Sequence, residues 1–210
     1  MLTGRQIERY SRQIITQGFS GTAQERLLSA NITVAGRLDE LDPLLPYLVG
    51  AGVGTIRLDT EADTARVVRL EERFRDLNPD VEFVEASQTG DRCDLLLTAG
   101  SDREIAGRIR DLATRHAAAA IIFARLAPSP TIAVIPSRPP CLLCTDAGID
   151  LPFDGVCENP GLVAMIAGLE AIKLLAGIAP AGGRLIEFDR YTMISRPLRQ
   201  HTDTVSCGCK

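Results

Sequence analysis

Two kinds of pattern alternate along the chain. Short segments with strand character occur at residues 32–35, 55–59, 81–86, 93–98, 119–124 and 131–135. Between several of them, apolar residues recur every three or four positions, which is typical of helices that bury one face. Strands that alternate with helices of this length predict βαβ units and a mostly parallel sheet. The predicted fold class is therefore α/β.

The first predicted helices lie at the N-terminus and after the first strand. Residues 1–30 read as a helical arm, and Pro43 fits the first turn of the helix that follows Gly36. Pro46 lies three residues further in, where a proline should kink or delay that helix. Four leucines recur there at helical spacing, so we expect them in the core: Leu41, Leu44, Leu45 and Leu48.

Three further helices follow. The first stops at Asn78–Pro79 and places four apolar residues on one face: Val67, Leu70, Phe74 and Leu77. The second is predicted from about residue 102 to residue 116. The third opens at Asn159–Pro160 and is apolar over most of its surface, so we expect it to be buried, partly against a second subunit. The tail after Gly177 reads as strands.

Size and charge exclude some classes of protein. The chain has 210 residues, 45% of them hydrophobic, which suits one sizeable core. A net charge of -4 and scattered basic residues give no basic field, so we expect no nucleic-acid partner. No apolar run approaches the ~20 residues that cross a bilayer. We therefore expect a soluble, cytoplasmic protein that makes no membrane contact.

The six cysteines suggest metal or thiol chemistry, since nothing in the sequence indicates export from a reducing compartment. Two closely spaced pairs, Cys141 with Cys144 and Cys207 with Cys209, could supply the four thiolates of a closed structural zinc site. The alternative is four unrelated or disulfide-bonded cysteines. We expect a single domain over residues 1–210, in which zinc links the C-terminal part, residues 139–210.

Two cysteines stand outside these pairs. Cys157 precedes the helix that opens at Pro160, and a helix N-terminus favours the reactive thiolate. Glu158 and Asp154 oppose that effect, so an ordinary loop cysteine is the alternative reading. Cys93, just before a strand, is expected in the core.

The turn after the first strand is the place where a nucleotide-binding α/β fold would hold phosphate. Such a loop needs glycines at G-x-G-x-x-G so that the backbone turns tightly and presents its amides to phosphate. Here those positions are Gly36, Leu38 and Leu41. Acidic residues add negative charge where phosphate would lie: Asp39, Glu40 and Asp42. This turn therefore predicts a disabled nucleotide site that still connects strand to helix.

Several motifs in order resemble one family over nearly the whole chain. They are RYSRQI (9–14), AGVGTIRLD (51–59), LNPDVEF (77–83), PPCLLC (139–144) and GLEAIKLLAG (168–177), followed by RLIEFD. The set closely resembles the E1-like activating enzymes of the ThiF/MoeB/HesA group, which adenylate the C-terminal glycine of small ubiquitin-like sulfur carriers. The resemblance implies a homodimeric, doubly wound, Rossmann-like fold and a zinc held by the two cysteine pairs.

The family's ATP-binding residues are only partly matched. The acidic residue that holds the ribose survives as Asp59, one position early, and the glycine loop falls on the turn at Gly36. The family motif DCTDN corresponds to TAGSD, residues 98–102, which places Ser101 at the catalytic aspartate. Arg12 matches an arginine that contacts ATP bound by the other subunit. Cys157 matches a cysteine that in some members forms a thiol link to the carrier.

The leading hypothesis is a degenerate, zinc-stabilised E1-like protein that binds a partner without performing adenylation, with ATP and magnesium doubtful as cofactors. That partner would be a second copy, an active E1-like protein to which Arg12 is lent in trans, or a small sulfur carrier. One alternative is an active ATP-dependent adenylyltransferase with altered ATP contacts. Another is a thiol relay through Cys157 without ATP.

Overall fold

A computed structural model provides the structure of the protein. It describes residues 1–36, 38–59, 64–85, 93–100, 112, 115, 118–125, 130–136, 160–179, 183–188 and 192–198.

Within these ranges, six helices with described ends and eight strands form the framework, and Leu112 and Arg115 belong to a further helix. The helices are α1 (Gly4–Ile14), α2 (Gly21–Leu28), α3 (Leu38–Leu41), α4 (Leu45–Ala51), α5 (Thr64–Arg75) and α6 (Pro160–Ala176), with a 3₁₀ segment at Asp42–Leu44. The strands are β1 (Asn31–Gly36), β2 (Thr55–Asp59), β3 (Glu82–Glu85), β4 (Leu95–Gly100), β5 (Ala120–Arg125), β6 (Thr131–Pro136), β7 (Arg184–Phe188) and β8 (Met193–Pro197).

The strands form one sheet in the order β3-β2-β1-β4-β5-β6-β7-β8. The first five in this order run parallel to their neighbours, whereas β6, β7 and β8 pair antiparallel. The predicted α/β class and mostly parallel sheet are confirmed. The antiparallel end was not predicted, because the alternation of apolar residues carries no information on strand direction.

Helices cover the sheet on both faces. On one face, α2, α4 and α6 bury a continuous apolar core against side chains such as Ile32, Val34 and Leu97. On the other face, Leu112 packs against Ala35 and Leu96. Residues that alternate along β1 and β4 thus point into different cores, as expected where both faces of a sheet are covered.

Most of the predicted helices are confirmed. The arm contains α1 and α2, whose first turns are capped by the side chains of Thr3 and Ser20. The four leucines after Gly36 are fully buried, and Pro46 does delay the helix, since α4 begins only at Leu45. Leu112 and Arg115 are helical, while most of the helix predicted at 102–116 lies outside the described residues.

One prediction of burial was wrong. The sequence predicts Leu77 on the same helix face as Leu70 and Phe74, but α5 ends at Arg75 and Leu77 is 47% exposed. A helical repeat cannot be extended past the last helical residue. In α6 the buried face is formed largely by small residues, Ala164, Ala167, Gly168 and Ala171, and Leu162 and Leu169 are about half exposed, so burial against a second subunit stays a prediction.

Candidate functional site

The order of the parallel strands places a crevice beside β1. The chain passes from β1 to β2 on one side and later returns to β4 on the other. In open α/β sheets, ligands bind at the carboxyl ends of the strands where the order reverses. The residues at this point are Gly36 at the end of β1, Asp59 at the end of β2 and Gly100 at the end of β4.

Gly36 is required by the turn itself. Its φ of +126° is a backbone conformation that residues with a side chain rarely adopt. An added Cβ would also lie 3.0 Å from the carbonyl oxygen of Ala99. The strand-to-helix connection predicted at Gly36 is therefore confirmed.

Leu41, at the third glycine position, belongs to the core. Its side chain is fully buried, and its Cδ1 lies 3.7 Å from the point where a Cβ on Gly36 would be. In a dinucleotide-binding loop this glycine allows close packing of helix on strand. Here an isobutyl group fills that space, so the inner side of the turn is apolar.

The helix that follows is short and broken. Helix α3 has four residues, and Pro43 and Pro46 lie in the first turns of the 3₁₀ segment and of α4. The field at a helix N-terminus comes from aligned peptide dipoles over several turns. A single turn followed by a change of helix type offers phosphate much less than an unbroken helix does.

Two arginines far away in sequence neutralise acidic groups around the crevice. Arg73 of α5 binds Asp42 (Nη1 to Oδ1, 2.6 Å), and its guanidinium also lies 4.8 Å from the ring centre of Phe74. Arg115 binds Asp59 (Nη1 to Oδ2, 3.2 Å). Both pairs are partly exposed, so each contributes little stability. Asp59, the residue predicted to hold a ribose, thus lies at the expected strand end, in an ion pair.

Sequence reasoning did not identify Arg73 or Arg115 as members of this region, whereas Thr98 opens the TAGSD segment that was assigned to it. Thr98 of β4 is fully buried, its Oγ1 lies 3.7 Å from the Cβ position on Gly36, and among the described residues that hydroxyl has no hydrogen-bond partner. The two arginines lie 31 and 56 residues from their acidic partners. No local pattern indicates such contacts.

Arg12 lies on the outer face of α1, far from this turn in sequence. Its side chain is exposed, and within the described part of the chain its guanidinium forms no hydrogen bond or ion pair. The hydroxyl of Thr16 donates to the Arg12 carbonyl oxygen at 2.9 Å, which holds the last turn of the helix. Arg12 is therefore available to a second molecule.

The inner face of α1 carries a buried polar network that sequence reasoning also missed. Asn78 Nδ2 donates to the Tyr10 hydroxyl (2.9 Å), and that hydroxyl donates to Asp80 Oδ2 (3.0 Å). Burial raises the pKa of Tyr10 to about 12, with the nearby Asp80 carboxylate adding to the effect. RYSRQI and LNPDVEF are separate motifs in the sequence, and the fold brings them into contact across 68 residues.

The predicted zinc ligands Cys141, Cys144, Cys207 and Cys209 lie outside the described residues, as do Cys157 and Ser101. Among the residues described, no group of three or more metal-binding side chains occurs. Cys93 is buried as predicted, and burial raises the pKa of its thiol. No helix in the described part is long and apolar enough to span a membrane.

Several characterised proteins are similar in sequence over nearly the whole chain. The vegetative HesA protein of Trichormus variabilis is 29% identical over 96% of this chain and 89% of its own length. The sulfur carrier protein ThiS adenylyltransferase of Escherichia coli is 27% identical over 99% and 97%. The molybdopterin-synthase adenylyltransferase of the same organism is 24% identical over 94% of each chain. No protein-family model matches the chain.

Solved structures confirm the architecture. Escherichia coli MccB with ATP superposes with a TM-score of 0.70, at 16% identity, over 95% of this chain and 74% of that chain. PaaA superposes with a TM-score of 0.61, over 94% and 75%. At such low identity, this similarity concerns the fold alone.

Proposed function

Since the chain is a member of the E1-like ThiF/MoeB/HesA group, we propose that it is a degenerate member that acts as a subunit. In this proposal the protein binds partners of carrier-protein activation and does not itself form an adenylate. Two of its relatives are named as adenylyltransferases, one of them for a sulfur carrier protein. The reaction served by the subunit is therefore adenylation of a small sulfur carrier by an active E1-like protein.

The observation that carries this proposal is the burial of Leu41. In a phosphate loop a glycine at this position lets the helix pack closely on the strand, so that its N-terminal amides can face the phosphate. Leu41 is fully buried beside Gly36, and α3, the helix that Leu41 ends, has four residues. Close packing of that kind would require this side chain to leave the core, at a cost typical of core disruption.

Three features support a role as a subunit. Arg12 is exposed and unbound within the described residues, so it is free to reach an ATP held by another chain. The half-exposed Leu162 and Leu169 lie one heptad apart on α6, which offers an apolar surface for a second subunit. The four cysteines Cys141, Cys144, Cys207 and Cys209 would hold a structural zinc.

Calorimetric titration of the zinc-loaded protein with Mg-ATP tests the proposal. We expect no binding heat up to millimolar ATP and no ATP–pyrophosphate exchange with or without a carrier. The molybdopterin-synthase adenylyltransferase of Escherichia coli, titrated in the same buffer, serves as positive control. Micromolar binding would overturn the proposal and favour the alternative, an active adenylyltransferase with altered contacts, which the names of the relatives support.

The active E1-like partner should be encoded by the same organism as this chain. Each E1-like protein of that organism with a complete glycine loop is co-expressed with this chain, and its exchange of pyrophosphate into ATP is measured. We expect one of them to be stimulated, and we expect Arg12→Ala to remove most of the stimulation at ATP concentrations below the KM. Stimulation that Arg12→Ala leaves unchanged at low ATP would refute donation of Arg12 in trans.

A further inference from the structure

Helix α1 is held to the rest of the protein mainly by polar contacts. Of its eleven residues only Tyr10 is buried. Apolar contacts tolerate small sliding movements, whereas hydrogen bonds fix both distance and direction. The position of this helix is therefore set by the polar groups on its inner face.

These groups join three parts of the chain. Asn78, between α5 and β3, donates to the Tyr10 hydroxyl at 2.9 Å and to the carbonyl oxygen of Val49 in α4 at 2.7 Å. The Tyr10 hydroxyl donates to Asp80, and Arg9 donates to the Leu77 carbonyl oxygen at 3.1 Å. Asn78 is 2% exposed, so its amide is shielded from competing water.

The fit around the Tyr10 ring is tight. Gly52, which ends α4 in a left-handed conformation, has φ of +83°, and an added Cβ would lie 2.6 Å from the Tyr10 hydroxyl oxygen. The ring thus packs against bare backbone. A second anchor lies three residues along α1, where Gln13 donates to the side-chain oxygen of Gln24 at 2.7 Å.

Arg12 projects from the opposite side of this anchored helix. Two residues correspond to about 200° around an α-helix, so Tyr10 faces inward while Arg12 faces solvent. Arg12 is flanked by the anchored Tyr10 and Gln13, and its own carbonyl is held by Thr16. The backbone is fixed around a side chain that forms no hydrogen bond or ion pair within the described residues.

We infer that Tyr10 is a positioning residue for Arg12. Its hydroxyl, held by Asn78 and Asp80, fixes the rotation of α1 about its axis and its position along that axis, and so fixes where the Arg12 guanidinium meets ATP bound by a second subunit. This inference rests on the proposed function. A guanidinium contributes to binding only when its directional donors meet the phosphate oxygens. A rotation of α1 by a fraction of a turn would therefore weaken the contact without removing Arg12.

The experiment uses the complex with the stimulated E1-like partner and measures ATP–pyrophosphate exchange as a function of ATP concentration. This chain is added to saturation, so that weaker assembly cannot lower the rate. Tyr10→Phe removes only the hydroxyl. Tyr47→Phe is the matched control, because Tyr47 is 50% exposed on α4. Arg12→Ala and the double variant complete the set, and Asp80→Asn perturbs the network without touching Tyr10.

We expect Tyr10→Phe to raise the KM for ATP by about tenfold, the value of one well-placed charge-assisted hydrogen bond. Arg12→Ala should raise KM at least as much, and the double variant should be no worse than Arg12→Ala. Asp80→Asn should give a smaller rise in the same parameter, and Tyr47→Phe none.

Two kinds of negative result distinguish failure of this inference from failure of the proposed function. If the wild-type chain stimulates its partner and Tyr10→Phe leaves KM unchanged at saturation, the network is merely structural and the inference fails alone. Additive effects of Tyr10→Phe and Arg12→Ala would also overturn it. If the wild-type chain stimulates no partner, the proposed function fails and the inference falls with it.

Discussion

Replacement of Leu41 by alanine tests whether the turn after β1 is core or an open loop. The change removes three buried carbon groups, worth about 2.4 kcal/mol at ~0.8 kcal/mol each. Because Leu41 is fully buried beside the fixed backbone of Gly36, the space cannot close completely, and a cavity term is added. We expect a total loss of about 3 to 4 kcal/mol in the free energy of unfolding.

Urea unfolding followed by far-UV circular dichroism measures this loss. The matched control is Leu77→Ala, the same chemical change at a position that is 47% exposed, where we expect about 1 kcal/mol or less. In a chain of this size the Leu41 variant should also melt roughly 6 to 16 °C lower.

A Leu41→Ala cost no larger than that of Leu77→Ala would refute the reasoning. The side chain would then be loosely held, and ligand could displace it at little cost. In that case the apolar turn would be no barrier to phosphate, and the main support for a degenerate nucleotide site would be lost.

Two further predictions concern the arm and the cysteines. Folded Tyr10 has a pKa of about 12, above its ordinary value of 10, so the stabilising effect of its proton is complete below pH 10 and is lost as pH rises through 12. The free energy of unfolding should fall by about 2 kcal/mol between pH 10 and 12 from this group, and comparison of wild type with Tyr10→Phe should isolate that slope. The purified chain should also contain about one zinc ion per molecule by atomic absorption. Cys→Ser changes made in pairs, at Cys141 with Cys144 or at Cys207 with Cys209, should abolish zinc binding. A metal-free wild-type chain would contradict the zinc assignment.

The features predicted correctly from the sequence are local ones. The helical arm predicted over residues 1–30 contains α1 and α2, because end caps such as Thr3 and helical spacing both act over a few residues. The delay of α4 follows from Pro46 alone. These signals depend on neighbours along the chain, and the fold leaves them unchanged.

The features missed depend on contacts between distant segments. Asn78 could be read only as a helix stop, although its side chain also joins Tyr10 to α4. Arg73 and Arg115 pair with acidic residues that lie 31 and 56 positions away in the sequence. The antiparallel direction of β6 to β8 follows from the connections around them. None of these has a periodic signature, so only the folded chain reveals them.

The altered turn is matched by the helix that packs against it. A Cβ added to Gly168 of α6 would lie 3.3 Å from the Cβ of Leu44, so α6 approaches the 3₁₀ segment closely at this point. In a glycine loop, close approach occurs between helix and strand. Here the side chain of Leu41 separates α3 from β1. The close packing occurs instead between the 3₁₀ segment and α6, at Leu44 and Gly168. The fit between α6 and the 3₁₀ segment therefore holds the turn in its filled form. A glycine at position 41 would empty the core beside β1 while leaving that fit in place, so recovery of a phosphate site requires changes in both elements.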